Sequence, residues 1–212
     1  MATFTKTAML LALALTAGSV FAAAKPTTQT ISTLGGKFTF KLPKAYSADT
    51  LPSGTAQDGT ADTQGTLYAN STTKSVVIVA ETVRNDGAAI QDNDPQFLDG
   101  AVADFVKDQS AALPDFKKLG EKKLTYKGLG LRQVDSSATQ GGGKTLNSTF
   151  LGGSGNHLLV IQAISRADDV KGHAQLVKAD YRRQVAPSSS QHKTHVGAGL
   201  PTMAVCQSLN LY

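Results

Sequence analysis

Only one cysteine, Cys206, occurs in the 212 residues, so no internal disulfide can form and the chain must hold together by packing alone. Tryptophan is absent, aromatic residues make up 6% and charged residues 17%. That leaves the surface to rely heavily on Ser, Thr, Gln, Asn and Gly, a composition that suits an exported β-rich domain better than a charge-rich cytosolic enzyme. No apolar run is long enough to cross a membrane as a helix. The best, Met9–Ala17, falls short of the ~20 residues required. The formal charge of +5 sits at the two ends. Lys6, Arg182, Arg183 and Lys193 are four cations outside residues 23–180 with no acidic residue outside to offset them, so 23–180 carries +1. A nearly neutral domain has no electrostatic footprint for nucleic acid.

What is present begins with a secretory signal. One Lys, a short apolar stretch and the small-residue run "SVFAAA" define residues 1–22, with Val20 and Ala22 fitting the cleavage rule. No Cys stands at the cleavage point to carry lipid. The expected product is soluble and periplasmic. Its length allows one good-sized domain. Residues 23–34 read as a flexible lead-in, 35–180 as the domain and 181–212 as an atypical, disordered tail without periodicity.

Within the domain, "GGKFTFKLP" alternates Phe38, Phe40 and Leu42 with polar residues and ends at Pro43, which predicts a half-buried strand. Residues 47–65 read as loop, and "TLYANS" and "KSVVIVAETV" as two strands. Asp94 followed by Pro95 is a helix start, since proline at the first helical position forfeits no needed N–H. Leu98, Ala101, Val102 and Phe105 then recur at helical spacing up to Pro114. From Phe116 to Ser165, short strands joined by glycine turns predict an antiparallel meander. A second helix is expected after Asp168 or Asp169, with Val170, Ala174, Leu176 and Val177 inward and His173 toward solvent. The fold class is α+β, an antiparallel sheet with helices packed against it.

Several stretches imitate catalytic motifs. "ATQGGGKT" (138–145) matches a relaxed phosphate loop, but Leu146, Ser148 and Phe150 alternate with Asn147 and Thr149, so a strand follows where a helix N-terminus is needed. It reads as a hairpin turn. "GGSGN" (152–156) resembles a nucleophile elbow, again with a strand behind it. A hydrolase built on Ser154, His157 and Asp168 requires both partners to fold back onto one turn. His192 and His195 have a metal-compatible spacing without a carboxylate or thiol nearby. The Lys-rich "FKKLGEKK" (116–123) suits a solvated strand edge. The sequence therefore nominates no catalytic, cofactor-binding or metal-ligating residues.

"GGKFTFKLP", the helix ending in "AALPDF", the "KLTYKGLGLRQVDS" hairpin, "TLNSTFLGGSGNHLLVIQAI" and "ADDVKGHAQLVKA" together resemble the DcrB family of enterobacterial envelope proteins over about residues 34–179. The resemblance implies a PsbP-like α/β sandwich and a non-catalytic binding or assembly role, tied to envelope integrity or phage adsorption, with no cofactor. Typical relatives look like lipoproteins of the inner membrane, so the resemblance also allows peripheral association there. This chain departs from them in lacking the lipid-bearing Cys. It departs again in the unpatterned run from Tyr181, a break that a frameshift near the 3′ end of the gene produces. The reading is a non-enzymatic periplasmic protein that contacts an unknown envelope protein. The alternative is a small-molecule or lipid carrier, with Phe97, Phe105 and Phe116 lining a pocket between helix and sheet.

Overall fold

Alternation written along the meander becomes a sheet whose two faces are covered by different elements. The computed structural model describes residues 27–52, 62–178 and 186–187. Its strands are β1 (Thr28–Thr33), β2 (Phe38–Pro43), β3 (Ser47–Thr50), β4 (Thr63–Asn70), β5 (Ser75–Val83), β6 (Lys117–Tyr126), β7 (Leu129–Gln140), β8 (Gly143–Ser154), β9 (His157–Arg166) and β10 (Ala186–Pro187). Helix α1 spans Pro95–Ala112 and α2 spans Val170–Val177. Strands β3 to β10 form one sheet in the order β10-β6-β7-β8-β9-β5-β4-β3, and every pairing in it is antiparallel.

On one face lie the β1–β2 hairpin and α2. Phe38, Phe40 and Leu42 point down from β2 onto Tyr126, Leu131, Phe150 and Ile161 of the sheet, and Leu176 and Val177 of α2 join the same cluster. Phe38 meets Tyr126 edge to face at 5.0 Å between centroids. Each fully buried phenylalanine contributes up to ~3 kcal/mol of transfer free energy. The other face belongs to α1. Ala101, Val102 and Phe105 pack on Val134, Leu151 and Val160, while Phe116 closes the far side against Phe105. Arg132, only 3% exposed, points to this face too and donates from Nε to Asp99 Oδ1 of α1 at 2.7 Å. Asp94 caps α1, its carboxylate accepting the N–H groups of Gln96 and Phe97.

Three details differ from the sequence reading. Residues 28–33 lie in the expected flexible lead-in, yet they form β1, paired with β2 at all six positions. Thr, Gln and Ile in alternation suit a strand edge, and burial of Ile31 and Thr33 repays the ordering. Part of the expected loop 47–65 is the edge strand β3, and 53–61 lie outside the described residues. On α2 only Leu176 and Val177 are buried; Val170 is 61% exposed and Ala174 is exposed as well. A helix of eight residues lying on β9 touches the sheet mainly through its last turn. The expected signal segment 1–22 lies outside the described residues. So do His192, His195, Cys206 and the rest of the tail except Ala186–Pro187, which pairs with β6 opposite Thr125 and Leu124.

Candidate functional site

Beside α2, on the face shared with the β1–β2 hairpin, the sheet is polar where apolar residues belong. Leu129 and Leu131 of β7 are followed in the same register by Gln133 and Asp135, and Phe150 of β8 is preceded by Ser148. Ser148 stands directly opposite Asp135. These residues, with His173 of α2, floor a cleft of about 190 Å³ whose walls include Leu119, Leu146, Ala174 and Val177.

Hydrogen-bond directions in the floor follow from elementary inventory. The Asp135 carboxylate only accepts. It receives Gln133 Nε2 at 2.6 Å and Ser148 Oγ at 2.7 Å on Oδ1, and Lys122 Nζ at 2.5 Å on Oδ2. Burial pushes this carboxyl up, but the three donors outweigh it and hold its pKa below the ordinary value. Ser148 has one proton and gives it to Asp135, so at 3.1 Å it must accept from His173 Nε2–H. His173 Nδ1, 3.1 Å from Ser165 Oγ, then accepts that hydroxyl proton in the neutral ring. Desolvation lowers the His173 pKa, although the charges of Asp135 and Asp169 pull it the other way. The imidazole faces the sheet and is hydrogen-bonded there, contrary to the expected solvent orientation. Gln133 Oε1, in a residue 1% exposed, has no partner, and among the other lining residues Ser136 Oγ and Asn147 Oδ1 have none either.

A second polar knot ties the opposite end of the sheet. Lys37 Nζ donates to both oxygens of Asp92, at 2.8 and 2.9 Å, and to Ser154 Oγ at 2.7 Å. Ser154 in turn donates to Asp92 Oδ1 at 2.5 Å. Lys37 above all, and Ser154 after it, hold the Asp92 carboxyl below its ordinary range. Backbone bonds between Ile90 and Gly155 fasten the same link to the β8–β9 turn. The knot clamps β2, the link before α1 and the β8–β9 hairpin.

The motif-like residues fall out of any catalytic arrangement considered from sequence. Ser154 meets Lys37 and Asp92, whereas His157 Nδ1 lies 3.6 Å from Glu81 Oε2. Asp168 stands past the far end of β9, whose ten residues span about 30 Å. The "GGGKT" stretch is the β7–β8 hairpin, with Gly141 and Gly142 at φ of 52° and 75°, the signs a two-residue I′ turn requires. Lys144 is bound to Asp115 Oδ2 at 2.6 Å, and Asp115 also receives the N–H of Thr139 at 2.9 Å. Together these hold the Asp115 carboxyl far below its ordinary value, Lys144 contributing most. Phe105 and Phe116 pack edge to face at 6.4 Å, and Phe97 covers Gly153 under Arg84. The expected pocket between α1 and the sheet is thus occupied by its own rings. Among the described residues no group of three or more His, Cys, Asp and Glu gathers as metal ligands.

Chain-level comparison addresses the architecture. No family model matches the chain, and no curated protein does so. Among solved structures, the cyanobacterial PsbP protein (CyanoP) of Synechocystis sp. PCC 6803 aligns with a TM-score of 0.51 over 78% of this chain and 98% of that one, at 10% identity. The fold is PsbP-like. A Pseudomonas aeruginosa protein of unknown function, described as a candidate regulator, aligns with a TM-score of 0.42 over 77% of this chain and 99% of that one, at 13% identity. This PsbP-like sandwich carries its cleft on the hairpin face. Gln133, Asp135, Ser148 and His173 were not singled out in the sequence as a site. The available signal was the polar interruption of the inward register on β7 and β8.

Proposed function

We propose that the chain is a non-enzymatic module of the cell envelope, DcrB-like in role, which works by contact with another envelope protein through the α2 cleft. The observation that carries this reading is the cleft itself. Leu119, 53% exposed, borders a concavity of about 190 Å³ with a polar floor. Sites that engulf a drug-sized ligand run to about 300–1,000 Å³. A smaller recess beside an exposed apolar residue suits one anchoring side chain of a protein partner.

The surroundings of Ser148 and Ser154, among the described residues, support the non-catalytic part. Ser148 gives its proton to Asp135, and the histidine beside it donates where a general base accepts. Lys37 is tied to Asp92 as an ammonium and has no lone pair for Ser154. The carrier alternative loses its sequence support, because Phe105 and Phe116 fill the space between α1 and the sheet.

A photocrosslinker at position 119, compared with one at 170 on the outer side of α2, tests the reading in intact cells. A discrete protein adduct specific to position 119 is expected. Adducts to lipid alone, or equal labelling from both positions, count against it. Native mass spectrometry showing retained lipid restores the carrier. Ester turnover abolished by Ser148→Ala or Ser154→Ala overturns the non-enzymatic assignment.

A further inference from the structure

We infer that α2 is an acid-released flap on the sheet: protonation of the His173 imidazole detaches the helix from β8 and β9 while the rest of the sandwich stays folded. Ala174, Val177 and Lys178 wall the cleft, so its shape goes with the helix. What that loss means for a partner rests on the contact reading above; the release itself does not.

Three observations carry the inference. First, little apolar surface holds the helix down. A helix of eight residues is marginal in water by itself, and only Leu176 and Val177 in its last turn are buried. Val170, Lys171, Ala174 and Gln175 are exposed. Second, among the described residues the side-chain hydrogen bonds from α2 to the sheet both come from one ring. His173 Nε2–H donates to Ser148 Oγ of β8, and Nδ1 accepts from Ser165 Oγ of β9, each at 3.1 Å. Third, both bonds are set for the neutral ring. Ser148 gives its own proton to Asp135, which fixes the tautomer. A further proton fills the Nδ1 lone pair and turns Ser165, 2% exposed, from donor into acceptor. Its hydroxyl hydrogen then has no acceptor among the described residues, and a buried donor left unpaired is costly.

The surrounding charges do not rescue a docked cation. Asp135 of β7 draws it, but Lys122 of β6 already binds that carboxylate. Asp169 draws it too, yet rides on α2 as its N-cap and stays beside the ring after release. Lys178 stands at the same cleft with the opposite sign, and β8 and β9 meet the ring with hydroxyls only. Desolvation therefore prevails and keeps the docked ring neutral, whereas water accepts the cation once the helix lifts.

Hydrogen exchange of the full chain, followed amide by amide by NMR and corrected for the intrinsic pH dependence of exchange, tests the release. The opening constant at the amides of Leu176 and Val177 should rise by up to roughly thirtyfold from pH 7.5 to pH 5. That is the linkage of a ring that titrates at the ordinary 6.5 when released and stays neutral when docked. The amides of Leu151 and Ile161 in the sheet should stay better protected throughout, because they open only with the whole domain. His173→Gln should erase the rise. Should that variant fail to fold, the native ring decides: its proton uptake should coincide with loss of the NOE contacts between His173 and Ser165. Uptake with those contacts intact overturns the inference. So do an α2 opening constant indifferent to pH, sheet amides that lose protection in step with α2, or a rise that survives His173→Gln. Exchange is read on the isolated chain, so its outcome is independent of whether position 119 finds a partner.

Discussion

Ser148 Oγ donates to Asp135 Oδ1 at 2.7 Å, and His173 Nε2 approaches the same hydroxyl from the other side at 3.1 Å. This ordering, carboxylate to hydroxyl to imidazole, differs from a nucleophilic triad in which the histidine stands between the other two. Asp135 is the sink for three donors. Asp135→Asn leaves Lys122, Ser148 and Gln133 facing one neutral carbonyl oxygen and introduces a competing N–H₂ group. A loss of about 2 kcal/mol is expected, in the range for hydrogen bonds to charged groups. Urea unfolding at neutral pH measures it. A change below about 0.5 kcal/mol contradicts the assigned directions.

His173 gives stability a pH dependence of definite sign. Its pKa in the fold is lowered, chiefly by desolvation, from the ordinary 6.5, so the unfolded chain binds the proton more readily. The associated stability is fully present above about pH 6.5 and drains away as the pH falls toward the folded value. Urea midpoints should therefore decline between pH 7 and pH 5, before most carboxylates titrate. His173→Gln should flatten that decline. A midpoint rising over the same interval refutes the assignment.

Thr149 lies on the α1 face with no solvent exposure and no partner for Oγ1. Ser136, Asn147 and Gln162 in neighbouring register positions carry unpartnered oxygens too. Replacing an orphaned hydroxyl by a methyl of the same shape removes a desolvation cost without a cavity. Thr149→Val should stabilise the protein by about 1 kcal/mol, which raises the melting temperature by roughly 2–4 °C in a domain of this size. Calorimetry checks it, and a lower melting temperature counts against the unpaired state.

Gly153 is required for space. A Cβ there meets Phe97 Cε1 at 2.7 Å and Ile90 Cδ1 at 3.0 Å, both held in place by the α1 start and the bridge to Gly155. Gly153→Ala should cost about 1–3 kcal/mol by overpacking. Gly120→Ala, at a bulge where a Cβ meets nothing within 4 Å, serves as the control and should be near neutral. Equal effects at the two positions dismiss the packing argument.

Much of the architecture was legible because it depends on neighbours in sequence. The cap at Asp94, the proline behind it and the apolar spacing through Phe105 specify α1 locally. Two adjacent glycines between alternating segments specify the hairpin that imitates a phosphate loop. β1 escaped notice because Thr and Gln leave little hydrophobic contrast, and its pairing with β2 supplies what the alternation lacks. The inward turn of His173 escaped too, since a helix of eight residues does not announce which side meets the sheet.

By itself, then, the sequence determined the period of each segment, the places where it turns, and the neutrality of the body between two basic ends. Those are properties of residues within a few positions of one another. The tertiary structure alone decided the cleft. Gln133, Ser148 and His173 are separated by 15 and 25 residues in the chain and converge only because β7 pairs with β8 in one register and α2 returns across β9. A slip of one residue in that pairing sends Ser148 to the opposite face. Long-range register, which no local pattern encodes, set the polar floor.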